Sequence, residues 1–241
     1  PANTDEAAER DNAMSSTGRG GKRRPSDYYP TPSWCVDRLL EELFPAPEGL
    51  PGQVALPYAG QWVEPCAGNG AIIRACQDWM DRCPHQWFDV GWTANELLGP
   101  DFPPERHREL RDTGADVMLG DCLTWTPETG RFDVCLTNPP YGNGQAEAFV
   151  RWGLANASTT IMLLRLGFLA TAQRCELMRT YPPDVYVLPN RPAFTRGTPG
   201  TVGRTDSADY AWFVWRQPGM RRAGSIKVLR STSIEERREG G

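Results

Sequence analysis

The chain has 241 residues, a formal charge of −4 and 39% hydrophobic residues, enough apolar material for one large domain and too much for a disordered chain. Nothing in it approaches the roughly 18 consecutive apolar residues of a membrane helix, since the longest aliphatic stretch, Ile161 to Leu164, runs straight into Arg165. Seven cysteines without a C-x-x-C pair and a polar, acid-rich start unlike a secretory signal point to reduced thiols in a soluble, cytoplasmic protein; His85 and His107 lie in no cluster with metal spacing, so no metal site is expected.

The modest net charge conceals a strong asymmetry. Residues 25–150 carry 19 acids against 7 bases, whereas residues 151–241 carry 14 bases against 7 acids. A basic half on an otherwise acidic chain suits a phosphate backbone, whose affinity comes mainly from charge neutralisation and counterion release; an Arg-rich solvated surface has the same composition.

In chain order, residues 1–27 have almost no large apolar residue and read as a mobile tail. From Ser33, the run SWCVDRLLEELF places apolar residues on one helical face, with Thr31 or Ser33 as the cap and Pro45 as the stop. Gln61–Glu64, then Pro65-Cys-Ala-Gly-Asn-Gly, then a helix from Ala71 make a strand, a glycine turn and a helix. Further strands are expected at Asp89–Asn95, Val117–Leu119, Phe132–Thr137, Thr160–Leu164, Val185–Leu188 and Tyr210–Trp215, with helices at Gly144–Ala157 and Ala170–Thr180. This alternation predicts an α/β fold: a mainly parallel, seven-stranded sheet covered by helices on both faces, with its last two strands an antiparallel hairpin at the edge. These strands are joined by residues 189–209, a long loop carrying Arg191, Arg196, Arg204 and Phe194, in which charge and a stacking ring suggest binding. A single catalytic unit would then span 28–217, leaving 218–241 as a basic tail.

The chemistry concentrates in two places. Glu64-Pro-Cys-Ala-Gly-Asn-Gly70 lets a ligand approach the backbone, but lacks both the G-x-G-x-x-G spacing of dinucleotide enzymes and the G-K-[ST] of a phosphate loop. Glu96 and Asp121-Cys122 follow the next two strands and would meet at the same carboxyl edge. Thr137-Asn-Pro-Pro-Tyr141, directly after a strand, removes two backbone donors, frees carbonyls and aims Asn138 and Tyr141 outward. An Asn oxygen and a proline carbonyl can together accept both hydrogens of an exocyclic amine, while a Tyr ring can stack on an extruded base.

EPCAGNG followed by TNPPY, with Tyr29-Pro-Thr-Pro32 and its helix upstream, resembles the S-adenosylmethionine-dependent DNA adenine-N6 methyltransferases in their gamma motif order, over about Asp27 to Trp215. The later RPAF and DYAWFVW stretches are similar to bacteriophage and prophage members. The resemblance implies a Rossmann-like methyltransferase fold with S-adenosylmethionine as cofactor and DNA as partner. By the same resemblance, Thr31 and Pro32 approach the methionine moiety, Glu64, Pro65, Ala67, Gly68 and Gly70 line the central part, Glu96 holds the ribose, and Asp121 with Cys122 meets the adenine. Asn138 and Pro139 then grip the target amine beside Pro140, Tyr141 stacks on the flipped base, and Phe194 offers a second stacking face. The family's separate recognition domain has little room here, so base readout falls to the 189–209 loop, the basic tail, the N-terminal arm or a partner, either a specificity subunit or a second copy. Rival readings are methylation of RNA or of a protein glutamine amide, and a catalytically inactive nucleic-acid-binding relative.

Overall fold

The computed structural model describes residues 30–44, 59–83, 88–97, 103–127, 130–142, 144–194, 207–216 and 224–239. The expected N-terminal tail, and Arg196 and Arg204 of the long loop, lie outside the described residues. Strands β1 (Ala59–Glu64), β2 (Asp89–Glu96), β3 (Asp116–Leu119), β4 (Phe132–Thr137), β5 (Ala157–Arg165), β6 (Asp184–Val187), β7 (Tyr210–Arg216) and β8 (Ile226–Val228) form one sheet in the order β3-β2-β1-β4-β5-β7-β6-β8. The first five run parallel, β7 is antiparallel to both β5 and β6, and β8 is parallel to β6.

Buried strands with alternating contacts explain why the sheet is covered on both faces. Trp62, Leu136, Leu163, Trp212 and Val214 face one core, shared with α1 (Ser33–Leu43) and α2 (Ala71–Asp81). Their chain neighbours Val63, Cys135, Met162, Phe213 and Trp215 face the other, shared with α4 (Gln145–Asn156) and α5 (Cys175–Thr180). Fully buried Trp212 also donates its indole N–H to the Cys35 carbonyl at 2.8 Å, tying α1 to β7. The remaining helices are α3 (Pro104–Arg111), which buries only Leu110, and α6 (Ile234–Glu239).

Several expectations change. The antiparallel hairpin lies toward that end of the sheet as expected, with β7 inserted between β5 and β6, but β8 takes the edge, making eight strands instead of seven. Residues 218–241 are therefore not simply a tail: β8 and α6 belong to the fold, and their charges are engaged internally. Buried Arg38 of α1 pairs with Glu41 and Glu236 and donates to Thr232 at 3.1 Å; Arg230 donates to Glu236 at 2.9 Å, and Lys227 pairs with Glu42. The α1 cap is Pro32, not Thr31 or Ser33; proline has no side-chain acceptor for a cap bond, and the Thr31 hydroxyl accepts from Asn138. Strand β5 begins at Ala157 directly after α4, and the expected 170–180 helix is a 3-10 turn at Ala172–Arg174 followed by α5.

Candidate active site

Parallel neighbours place their following loops on the same side of a sheet, and β1 and β4 are neighbours with Val63 in register with Cys135. The glycine turn after Glu64 and the Asn138–Tyr141 segment after Thr137 therefore share one carboxyl rim, as do the ends of β2 and β3. The N-terminus of α1 reaches the same rim, because Asn138 Nδ2 donates to Thr31 Oγ1 at 3.1 Å. The long 189–209 loop leaves β6 and returns to β7 on this side too, since Tyr210 pairs with Arg165 at the end of β5.

The glycine turn is held by its neighbours. Ala67 N–H donates to the Asn95 carbonyl at 2.9 Å and Gly68 N–H to Glu96 Oε2 at 2.6 Å. Gly68 (φ 56°) and Gly70 (φ 81°) adopt left-handed conformations that glycine accepts without strain, and Gly70 starts α2 against Thr113, where a Cβ would lie 2.7 Å from the Thr methyl. Asn69 Nδ2 donates to Glu109 at 2.6 Å, and Arg74 reaches back to the Asn69 carbonyl at 2.6 Å. The sequence does not flag these fasteners, because Asn69, Arg74 and Glu109 follow no motif of their own.

Three carboxylates stand along the rim in different states. Glu64 is 2% exposed with no partner on Oε2, and burial, followed by the neighbouring Glu96, raises its pKa far above the usual carboxylate range. Burial also raises the pKa of Glu96, partly offset by the Gly68 N–H. Exposed Asp121 accepts from Leu123 N–H at 3.0 Å, capping the 3-10 turn Cys122–Thr124. The Cys122 thiol is buried and pushed up to about 12, chiefly by burial and then by Asp121, while burial raises Cys66 and Cys135 as well, so none supplies a thiolate nucleophile at neutral pH. Beside them Leu97, Leu119 and Leu123 are exposed at the ends of β2 and β3, an apolar lining next to acceptors.

On the other side of the rim, Pro139 is buried and Asn138, Pro140 and Tyr141 are partly exposed. The Tyr141 hydroxyl is hydrogen-bonded with Asn138 Oδ1 and lies 3.1 Å from the Leu163 carbonyl. Its ring packs at 5.8 Å from that of Tyr210, and the Arg165 guanidinium sits 5.3 Å from its centroid while Arg165 Nε donates to the Tyr210 hydroxyl at 3.2 Å. Arg165 thus joins the site without a motif to announce it, its one signal being an Arg that ends an aliphatic run, whereas Tyr210 lies in the DYAWFVW stretch, which by itself assigns it no role in the site. Phe194, expected as an open stacking face, is 6% exposed and packs edge-on to Tyr210 at 5.1 Å, a wall behind Tyr141. Arg191 is exposed but paired with Asp209 at 2.8 Å, so it pins the two ends of the long loop together. Among the described residues, no group of His, Cys, Asp and Glu could hold a metal ion, and no helix is long and apolar enough to cross a membrane.

The strand order, the reversed β7 and the glycine turn after β1 together define the class I S-adenosylmethionine-dependent methyltransferase fold. Solved structures share it. The chain matches a Listeria monocytogenes protein assigned to that class with a TM-score of 0.55 at 12% identity, covering 84% of this chain and 64% of that one. It matches a Pyrococcus horikoshii protein assigned as an RNA methyltransferase at 0.51 and 11%, covering 82% and 92%. It also matches the Type ISP restriction-modification enzyme LlaGI, solved with a DNA substrate mimic, at 0.57 and 12%, covering 88% of this chain and 28% of LlaGI. The chain thus spans less than two thirds of the first and under a third of the last. No family model and no curated protein matches the sequence.

The donor set fits S-adenosylmethionine. Glu96 offers a carboxylate at the tip of β2 and Asp121 another after β3, with exposed leucines between them for a flat apolar ring. Glu64 keeps a buried oxygen without a partner, and the Cys66–Gly70 backbone is immobilised around it. Thr31 and Pro32 close the end nearest Asn138.

Proposed function

We propose that this chain transfers a methyl group from S-adenosylmethionine to the N6 amine of adenine in DNA, with the base drawn out of its duplex. The observation that carries the reading is the junction at Asn138: an acceptor amide and a proline carbonyl at the end of β4, bonded across 107 positions to Thr31 and standing on the same rim as the glycine turn. The bound cofactor supplies an activated methyl group on a sulfonium sulfur, and the protein's own side chains supply position. Glu96 holds the ribose, Asp121 and the Cys122 backbone meet the cofactor's adenine, and Thr31, Pro32, Glu64, Pro65, Ala67, Gly68 and Gly70 surround the rest.

An adenine amine is a poor nucleophile because its lone pair is delocalised into the ring. Asn138 Oδ1 and the Pro139 carbonyl accept its two hydrogens, which favours a localised lone pair directed at the methyl carbon, while Pro140 stiffens the segment and Tyr141 stacks on the base. The nitrogen gains the methyl group and releases one proton to solvent. Asn138→Ala is expected to lower transfer by at least about 100-fold while cofactor affinity stays within a few-fold, measured by radiolabelled methyl incorporation beside titration calorimetry. Unchanged turnover would refute the assignment. Mass spectrometry of nucleosides from treated DNA and RNA identifies the acceptor: N6-methyladenine in RNA alone would replace DNA as the substrate.

A further inference from the structure

The Asn138 side chain is gripped at both ends of its amide. Nδ2 donates to the Thr31 hydroxyl just before α1, and Oδ1 accepts from the Tyr141 hydroxyl, whose oxygen also lies 3.1 Å from the Leu163 carbonyl of β5. Thr31 is 6% exposed and stands one residue before the N-cap Pro32, so its hydroxyl does not cap α1 and meets instead a residue in a different part of the chain. A short polar side chain on a proline-rich turn otherwise samples several rotamers, and methyl transfer depends on holding reacting groups to within about half an ångström. One hydroxyl from the approach to α1 and one from Asn138's own turn leave the amide one plane and one direction.

We propose that Thr31 is a positioning residue for Asn138: it fixes the amide that receives the substrate amine, with the Tyr141 hydroxyl as the second clamp, rather than serving the cofactor alone. Its kinetic consequence rests on the methyl-transfer reading above, whereas the clamp itself does not. One residue would then border both halves of the site, so that the α1 N-terminus aligns the acceptor amide with the cofactor end of the rim.

The test compares full-length Thr31→Val, Thr31→Ser and Tyr141→Phe with the native chain. The side-chain amide of Asn138, assigned through its loss in Asn138→Ala, is followed by nitrogen-15 NMR for chemical shift and hydrogen exchange. Single-turnover transfer to a duplex oligonucleotide is measured at saturating S-adenosylmethionine, with cofactor affinity measured separately. Thr31→Val should shift the Asn138 amide, speed its exchange and slow transfer about tenfold at saturation, and Thr31→Ser should return all three to within about threefold of native. If Thr31→Val does not fold, Tyr141→Phe, which keeps the ring, should give the same amide signature and a similar slowing. An unmoved Asn138 amide, or a saturated rate unchanged while only cofactor affinity falls, would overturn the proposal. A native chain that methylates no adenine but shows the amide signature would sink the methylation reading and leave the clamp standing.

Discussion

At the scale of single residues, the rim carries carboxylates in two settings, one buried and one in solvent. Burial holds the Glu64 pKa well above the usual carboxylate value, while Asp121 stands in solvent as a turn cap. A carboxyl whose folded pKa is raised favours the native state most below its ordinary value near 4.5 and costs stability as pH rises from there toward the folded value. Glu64→Gln preserves the shape without the titration. Its melting temperature should therefore match or exceed the native chain's at pH 7 to 8, and the difference should shrink toward pH 4, as read by thermal melts across that range. Cofactor affinity should fall about tenfold in the same variant, because a neutral amide cannot ionise when a cationic ligand arrives. A variant less stable than native at pH 8 would show that Glu64 is ionised in the fold. The motif residues are legible in the sequence because their chemistry is local: a strand, a turn, then a fixed set of side chains. Thr31's bond to Asn138 is not, since nothing at position 31 announces a partner more than a hundred residues away.

At the scale of elements, legibility follows burial. The strands with apolar faces, β1, β2, β4, β5 and β7, are readable from their own residues, whereas β8 has all three residues exposed and α3 buries one side chain, so neither leaves a periodic signature. Strand β8 is held by its backbone pairing with β6 and by buried Leu229 beyond it, and α6 by charge. Arg38 of α1 is enclosed by Glu41, Glu236 and Thr232, and Arg230 adds a second bond to Glu236. The Arg230 bond, with the Ser233 N–H next, lowers Glu236 from 4.5 to about 2. A lowered carboxylate pKa gives stability that is present above the ordinary value and lost as pH falls from about 4.5 through about 2. Amides of residues 226–239 should accordingly exchange faster in that window than those of β1 and β4, and Glu236→Gln should lose protection there already at pH 7. Equal protection of this segment at pH 7 and pH 3 would show that the clamp contributes nothing.

Across the whole molecule, the charge asymmetry visible in the sequence has a more specific destination than its totals suggest. Two of the C-terminal bases, Lys227 and Arg230, are committed to acids of α1 and α6, so the expected basic tail is partly neutralised where it is described. A further cationic segment is the 189–209 loop, whose two ends Arg191 and Asp209 fasten and whose Phe194 backs Tyr210. If it binds the nucleic-acid backbone, replacing Arg191, Arg196 and Arg204 together by Ala should weaken binding to duplexes of any sequence and reduce the salt slope by about 0.9 for each phosphate left unneutralised. An unaltered slope in a filter-binding series would place the backbone-binding surface elsewhere. The parallel core is predictable from alternation alone, but the position of β7 is not, because strand order depends on pairing between segments far apart in the chain.

That placement also constrains how the molecule is made. β5 and β6 never touch; the slot between them is filled by a strand that is synthesised after both. A ribosome that has released residues through 187 has therefore delivered two strands with raw edges facing a gap, and the sheet closes only once residues 210–216 have emerged. Nascent chains stalled between these points should draw on chaperones, and those stalled well beyond them should not.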